Sequence, residues 1–182
     1  MKKLLALLLA SVMLLSLAAC GGDDGGNDAE KSTYKTAVQI YEKLLNGKSS
    51  DLKKSLPSEF WDDLKDTSNM SFSDAKEYFD NMMSSVKSYY GESYSATIEI
   101  LEEKKTNADE LNALINKMMN QYDYISQDSI SEAYELQLQM KMTSNMGNEE
   151  EEAIFFAAKM GNSWYIIDED GRFTMDIFNE WG

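Results

Sequence analysis

The apolar residues of this chain keep two different periods, and the change between them constrains the architecture more than any other feature. Tyr34, Ala37, Val38, Tyr41, Leu44 and Leu45 fall on one stripe of a helix. Lys43 sits in its last turn, and Gly47 just beyond reads as the stop. A broken helical stretch then carries Leu52, Leu56, Phe60, Trp61 and Leu64. It is interrupted at Pro57, the single proline, after which Ser58 and Glu59 can cap a restart. A long helix is predicted from Ser71 or Ser73 to Gly91, with Ala75, Tyr78, Phe79, Met82, Val86, Tyr89 and Tyr90 on its stripe. From Tyr94 the spacing drops to two. Tyr94, Ala96, Ile98 and Ile100 alternate with polar neighbours and read as a strand. One more helix interrupts, capped by Asn107 with Glu110 three residues on, and carries Leu111, Leu114, Ile115, Met118 and Tyr122.

The cleanest strand follows. Tyr134, Leu136, Leu138, Met140 and Met142 face one way, while Glu135, Gln137, Gln139 and Lys141 face the other. Ser144 to Glu151 reads as a polar connection, with the run Glu149–Glu152 solvated, leading to a strand from about Ala153 to Met160. Gly161-Asn162 reads as a two-residue turn with glycine first, Trp164 to Ile167 as the last strand, and Phe173 to Trp181 as a short apolar tail. Helices followed by antiparallel strands predict an α+β domain with helices on one face of the sheet.

The last hairpin is apolar on both faces: Phe155, Ala157, Trp164 and Ile166 share one, and Phe156, Ala158, Tyr165 and Ile167 share the other. An antiparallel sheet with one wet side should alternate, so both faces are expected to be covered. Helices cover one. The other is left to the tail (Phe173, Ile177, Phe178, Trp181), a ligand or a second subunit, and a homodimer or partner interface is the favoured expectation. The candidate pocket or interface residues are therefore Tyr134, Leu136, Leu138, Phe155, Phe156, Trp164 and Tyr165.

The N-terminus has a separate logic. Lys2-Lys3, an apolar run from Leu4 to Leu17 and a small-residue cleavage site have the layout of a secretory signal peptide. The run is too short for the roughly 20 residues of a spanning helix. Leu17-Ala18-Ala19-Cys20 resembles the lipobox of bacterial lipoproteins. That resemblance implies cleavage before Cys20 and a diacylglyceryl group on its sulfur, hence a protein anchored by lipid in the cell envelope. Such a protein sits on the outer side of the cytoplasmic membrane, or in the outer membrane of a cell that has one. Two or more acyl chains hold a protein stably on a bilayer. The chain thus divides into a signal peptide (residues 1–19), a lipidated Cys20 with a Gly/Asp tether to residue 32, and one domain over residues 33–182. Gly21 to Ser32 offers no apolar run to bury, so the tether is expected to be flexible.

Composition narrows the chemistry. The net charge is −15, and becomes −17 once Lys2 and Lys3 leave with the signal peptide. So acidic a domain repels phosphates, which excludes nucleic acid as a partner. There is no histidine, one cysteine and one arginine, Arg172. Ser-His-Asp, Cys-His and histidine-based zinc sites are therefore impossible within the chain, and no G-x-x-x-x-G-K loop is present. Asp168-Glu169-Asp170-Gly171 fails as a calcium loop, because an EF-hand register on Gly171 requires acids where Ile166 and Ile177 stand. No cofactor and no metal are expected.

The order of elements, ending in Gly161-Asn162-Ser163-Trp164-Tyr165-Ile166-Ile167-Asp168, resembles the nuclear-transport-factor-2-like or cystatin-like domains over about Thr33 to Asp170. The resemblance implies a curved sheet closed by helices into a cone that can hold a ligand pocket. It implies no activity, since fold alone does not. The expected function is a non-catalytic, membrane-anchored module that binds a small ligand or a protein partner. One alternative is a pocket enzyme using a carboxylate such as Glu135 or Asp168 beside Tyr134 or Tyr165. Another is a structural subunit or spacer of an envelope complex.

Overall fold

The computed structural model describes residues 33–176. The expected signal peptide, Cys20 and the expected tether, and Ile177, Phe178 and Trp181 of the tail, lie outside the described residues. Within them the chain forms an α+β domain of five α-helices packed with an open, four-stranded antiparallel sheet. The helices are α1 (Tyr34–Leu45), α2 (Leu52–Ser55), α3 (Ser58–Ser68), α4 (Phe72–Tyr90) and α5 (Ala108–Met119). The strands β1 (Ser95–Lys105), β2 (Glu132–Ser144), β3 (Gly147–Met160) and β4 (Ser163–Asp168) pair in chain order as a meander.

The helix starts follow from side chains that satisfy otherwise orphaned backbone donors. Thr33, Ser71 and Asn107 each close a capping box, with Thr36, Asp74 and Glu110 reaching back. In α5, Asn107 Oδ1 accepts from Asp109 N and Glu110 N at 2.9 and 3.0 Å. Pro57 sits in extended conformation immediately before α3, so its missing N–H costs no helical bond.

Two strands run further than the sequence predicts. β1 continues to Lys105 through a bulge between Ile100 and Glu102. The expected polar connection over Ser144–Glu151 is mostly strand: β2 and β3 meet at a tight turn beside Gly147, whose φ is 126°. Glu149 to Glu152 pair with Met142 to Gln139. Consecutive strand residues point to opposite faces, so these four carboxylates divide two and two instead of repelling as a block. A charge run thus remains compatible with a ladder.

The hairpin register matches the sequence reading, Ala157 opposite Ile166 and Ala158 opposite Tyr165, but the placement of helices does not. Helices stand on both faces. Ala37 and Val38 of α1 pack with Leu136, Leu138, Phe155, Ala157, Trp164 and Ile166 on one face. Leu114, Ile115 and Met118 of α5, with Phe60 of α3, belong to the cluster that takes in Ala133, Ala158 and Ile167 from the other. The premise for a homodimer, an apolar sheet face left bare, is therefore not met: the chain covers both faces of its own hairpin. The start of the tail contributes, with Phe173 and Met175 buried in the second cluster.

Part of each sheet edge is also capped. Along β1, Asn46 Oδ1 accepts from Ala96 N at 2.9 Å, Asn46 Nδ2 donates to Ala96 O at 2.7 Å, and Glu42 Oε2 accepts from Ile98 N at 2.7 Å. Along β4, the chain turns back after Asp168 so that Arg172 O accepts from Asp168 N and Thr174 N donates to Ile166 O. That turn needs Gly171. Its φ is 85°, and a Cβ there would lie 2.7 Å from Lys117 Cβ and 2.9 Å from the Lys117 carbonyl carbon. Unpaired edge groups invite strand addition, and here side chains occupy those of Ala96 and Ile98 while a return segment occupies those of Ile166 and Asp168.

Burial of tyrosines makes the fold sensitive to alkali. Tyr41, against Phe155 at 5.9 Å between ring centroids, has its phenol pushed up to about 12 by burial first and then by Glu151. Tyr122 is raised further, by burial and by its hydrogen bond to Asp176. An unfolded chain ionises its phenols near 10 while the folded one holds the proton, so this contribution is complete below pH 10 and is lost as pH rises towards 12. At about 1.4 kcal/mol per pH unit, Tyr41 alone withdraws roughly 3 kcal/mol over that interval. A series of thermal melts from pH 8 to 12 is expected to show a level Tm to about pH 10 and a steep fall above it. Tyr41→Phe should soften that fall, and an unchanged slope would show that Tyr41 is not the group responsible.

Candidate functional site

The described residues enclose little space under α1. Between α1 and β4, where Ala37, Ile40, Tyr41, Trp164 and Ile166 meet, the cavity is about 10 Å³, room for one water at most. The interior of the curved sheet is filled by its own side chains: Leu136 and Leu138 have no exposed surface, and Tyr134 stacks on Tyr34 with centroids 4.7 Å apart. A ligand pocket in a cone is not what these residues build.

The usable space lies at the end of the sheet instead, where the break at Pro57 faces the β3–β4 turn. One lobe of about 440 Å³ is bounded by Thr36 and Ile40 of α1, Lys53 and Lys54 of α2, Trp61 of α3, and Trp164. A second lobe of about 320 Å³ is bounded by Glu59, Tyr124, Ser129, Met160 and Gly161. Ser58, Ser163 and Tyr165 line both, so the two lobes adjoin at Tyr165. The separating ridge is fixed, because Leu56 and Pro57 beneath it are fully buried.

The two lobes differ in charge. In the first, Lys54 Nζ lies 3.3 Å from Asp51 Oδ1 and Lys53 Nζ lies 5.7 Å from the Phe72 ring centroid. In the second, Ser58 Oγ donates to Glu59 Oε2 at 3.0 Å. Its acidity registers on neighbouring phenols. Tyr165 is raised by burial and by Glu59, and Tyr124 by burial and then by Asp176, Asp63 and Glu59. The Tyr124 hydroxyl is buried in this wall with no hydrogen-bond partner among the described residues, an arrangement that costs about 1–3 kcal/mol.

Of the seven residues singled out by sequence, Trp164 and Tyr165 line this cleft. Leu136, Leu138 and Phe155 lie with Ala37 and Val38 in the core under α1, with Tyr134 against its margin. Phe156 is on the opposite face, at a hollow of about 160 Å³ with Glu110, Lys117 and Glu135. Two of the carboxylate–tyrosine combinations, Glu135 with Tyr134 and Asp168 with Tyr165, are not assembled as adjacent groups. Glu135 and Tyr134 are strand neighbours and point to opposite faces, as do Asp168 and Tyr165. Asp168 is engaged in its own turn, with Oδ1 accepting from Asp170 N and Arg172 N, and Oδ2 accepting from Arg172 Nε at 3.2 Å. Sequence reading passed over Lys53, Lys54 and Tyr124, and took Ser58 and Glu59 only as capping residues, although the N-cap of α3 is Pro57, with no side-chain cap. The available signal was Pro57 with a lysine pair before it and an aromatic after it, but nothing local says that this break abuts β4. Among the described residues no group of acidic or cysteine side chains could hold a metal ion, and no helix is long and apolar enough to cross a membrane.

No protein-family model matches the chain, and neither a curated protein nor a solved structure is detectably similar to it.

Proposed function

We propose that this chain is a lipid-anchored binding protein of the cell envelope that takes a small ligand, without catalysis, in the cleft around Tyr165. The observation that carries the reading is the cleft itself. Each lobe is of ligand-site size, the floor is aromatic, and hydroxyls and charges converge over a buried ridge. Neither carboxylate of the enzyme alternative lies in it. Lipidation of Cys20 rests on the lipobox-like Leu17-Ala18-Ala19-Cys20, and kinship with nuclear-transport-factor-2-like domains rests on element order and the closing strand. A partner seated on the exposed part of the sheet has less to support it: there Ile154 stands among Gln137, Gln139 and Glu152.

The test compares the protein extracted from membranes in mild detergent with its Ser163→Trp variant, by native mass spectrometry. A bound small molecule on the first and not on the second is expected. No added mass, or one that the variant retains, overturns the cleft as the binding site. The anchor is tested separately. Cys20→Ala is expected to abolish incorporation of a palmitate analogue and release the protein from the membrane fraction while its melting curve stays unchanged, because the core of the described residues is built from Ala37 to Met175. Unaltered labelling and recovery would remove the lipoprotein reading.

A further inference from the structure

We propose that the ligand is a short peptide, or another amino-acid-based zwitterion, lying across Tyr165 with its carboxylate towards Lys53 and Lys54 and its ammonium towards Glu59. This deepens the binding reading above and rests on it. The lobes that share Ser58, Ser163 and Tyr165 differ in charge: one carries Lys53 and Lys54, the latter already 3.3 Å from Asp51, and the other carries Glu59.

Other ligand classes fit less well. A simple anion would satisfy the lysines but meet the field of Glu59, Asp63 and Asp176, which act together on Tyr124. A simple cation would face the lysines. A neutral apolar ligand would desolvate both sets of charges and pair neither, which is costly. A ligand with opposite charges at its ends satisfies both. Between those ends a peptide also presents alternating donors and acceptors, and serine hydroxyls do both. Ser58 and Ser163 stand where the lobes meet. Trp61, Trp164 and Tyr165 offer apolar surface to side chains.

The span is bounded as well. Lys53 and Glu59 are six residues apart in the chain, so their Cα atoms stand no more than about 20 Å apart. An extended peptide rises about 3.3 Å per residue, so a peptide of a few residues can span that separation. Leu56 and Pro57, buried between the two charged ends, hold the separation fixed, and a preorganised site loses less on binding.

The experiment titrates the detergent-solubilised full chain with the tripeptide Leu-Ala-Leu, its N-acetyl form and its C-terminal amide, followed by calorimetry and by tryptophan fluorescence. Saturable binding of the free peptide is expected, weakened at least about tenfold by capping either end, the loss of one charge-assisted contact. Lys53→Glu combined with Lys54→Glu should weaken the free peptide similarly, and so should Glu59→Lys. Combining all three changes should restore binding, with the peptide reversed. All three positions are exposed, so the variants are expected to melt as the parent does. Equal binding of the three peptides, or no saturation by the free peptide, overturns the proposal. If the mass spectrometry above finds a cleft-bound molecule that is not amino-acid-based, this chemical class falls while the binding reading stands.

Discussion

Replacing Leu138 by aspartate is expected to unfold the domain. Leu138 has no exposed surface and lies at the centre of the cluster under α1, with Ile100 and Ala153 as its cross-strand neighbours. The substitution removes a buried leucine, which by itself costs about 2–5 kcal/mol. It also leaves a carboxylate with no partner in an apolar layer, which adds several more. Together these approach the roughly 5–15 kcal/mol by which domains are stable. Gln137→Asp, one residue away, tests the register. Gln137 Nε2 donates to Glu152 Oε2 at 3.1 Å on the wet part of the opposite face. The change there loses an exposed hydrogen bond and sets two carboxylates near each other, at a cost of about 1 kcal/mol or less. Thermal melts of the two variants side by side decide the matter. A lower Tm for Gln137→Asp would mean that the faces of β2 are wrongly assigned.

Phe173→Ala is expected to have the next largest effect. Phe173 lies beyond the last strand but is 2 % exposed. Its ring meets Phe60, Tyr122 and Tyr165 with centroids 5.0–6.4 Å away. Its N–H donates to the Tyr122 hydroxyl at 3.0 Å, and that hydroxyl donates to Asp176 at 2.6 Å. Truncating a buried phenylalanine costs about 3–5 kcal/mol, which in a domain of this size lowers Tm by on the order of 10 °C. A Tm within a degree or two of the parent would show that the return segment is not part of the core. Tyr122→Phe is the smaller companion change. It keeps the ring and strands the Phe173 N–H, at about 1–3 kcal/mol.

Much of the fold was legible because its signals are local. The helix caps at Ser71 and Asn107, the stripe from Tyr34 to Leu45, the alternation of β2 and the register around Gly161 each rest on residues within one or two turns of one another. The hairpin's two apolar faces correctly announced that both are covered. What covers them was misjudged, because α1 and α5 both read as amphipathic helices and a stripe does not name the face it will meet. The acidic run Glu149–Glu152 was read as a connection for a related reason. Its pairing partner, Gln139 to Met142, lies across a turn, and strand propensity depends on the neighbour a strand acquires.

The cleft was the least legible feature. Trp164 and Tyr165 were identified as residues of interest through the strand pattern, whereas Lys53, Lys54, Ser58 and Glu59 lie on a helical break that looks like ordinary solvated surface. What the sequence by itself determined is each element, its buried stripe and the class of chemistry excluded, since covalent periodicity and composition carry these without reference to the rest of the chain. What only the tertiary structure decided is which stripe meets which face, that Phe173 closes the core, and that Pro57 comes to rest against β4. Those outcomes depend on packing between residues more than a hundred positions apart, as with Phe60 and Phe173. Apolar surface drives that packing without encoding the identity of its partner.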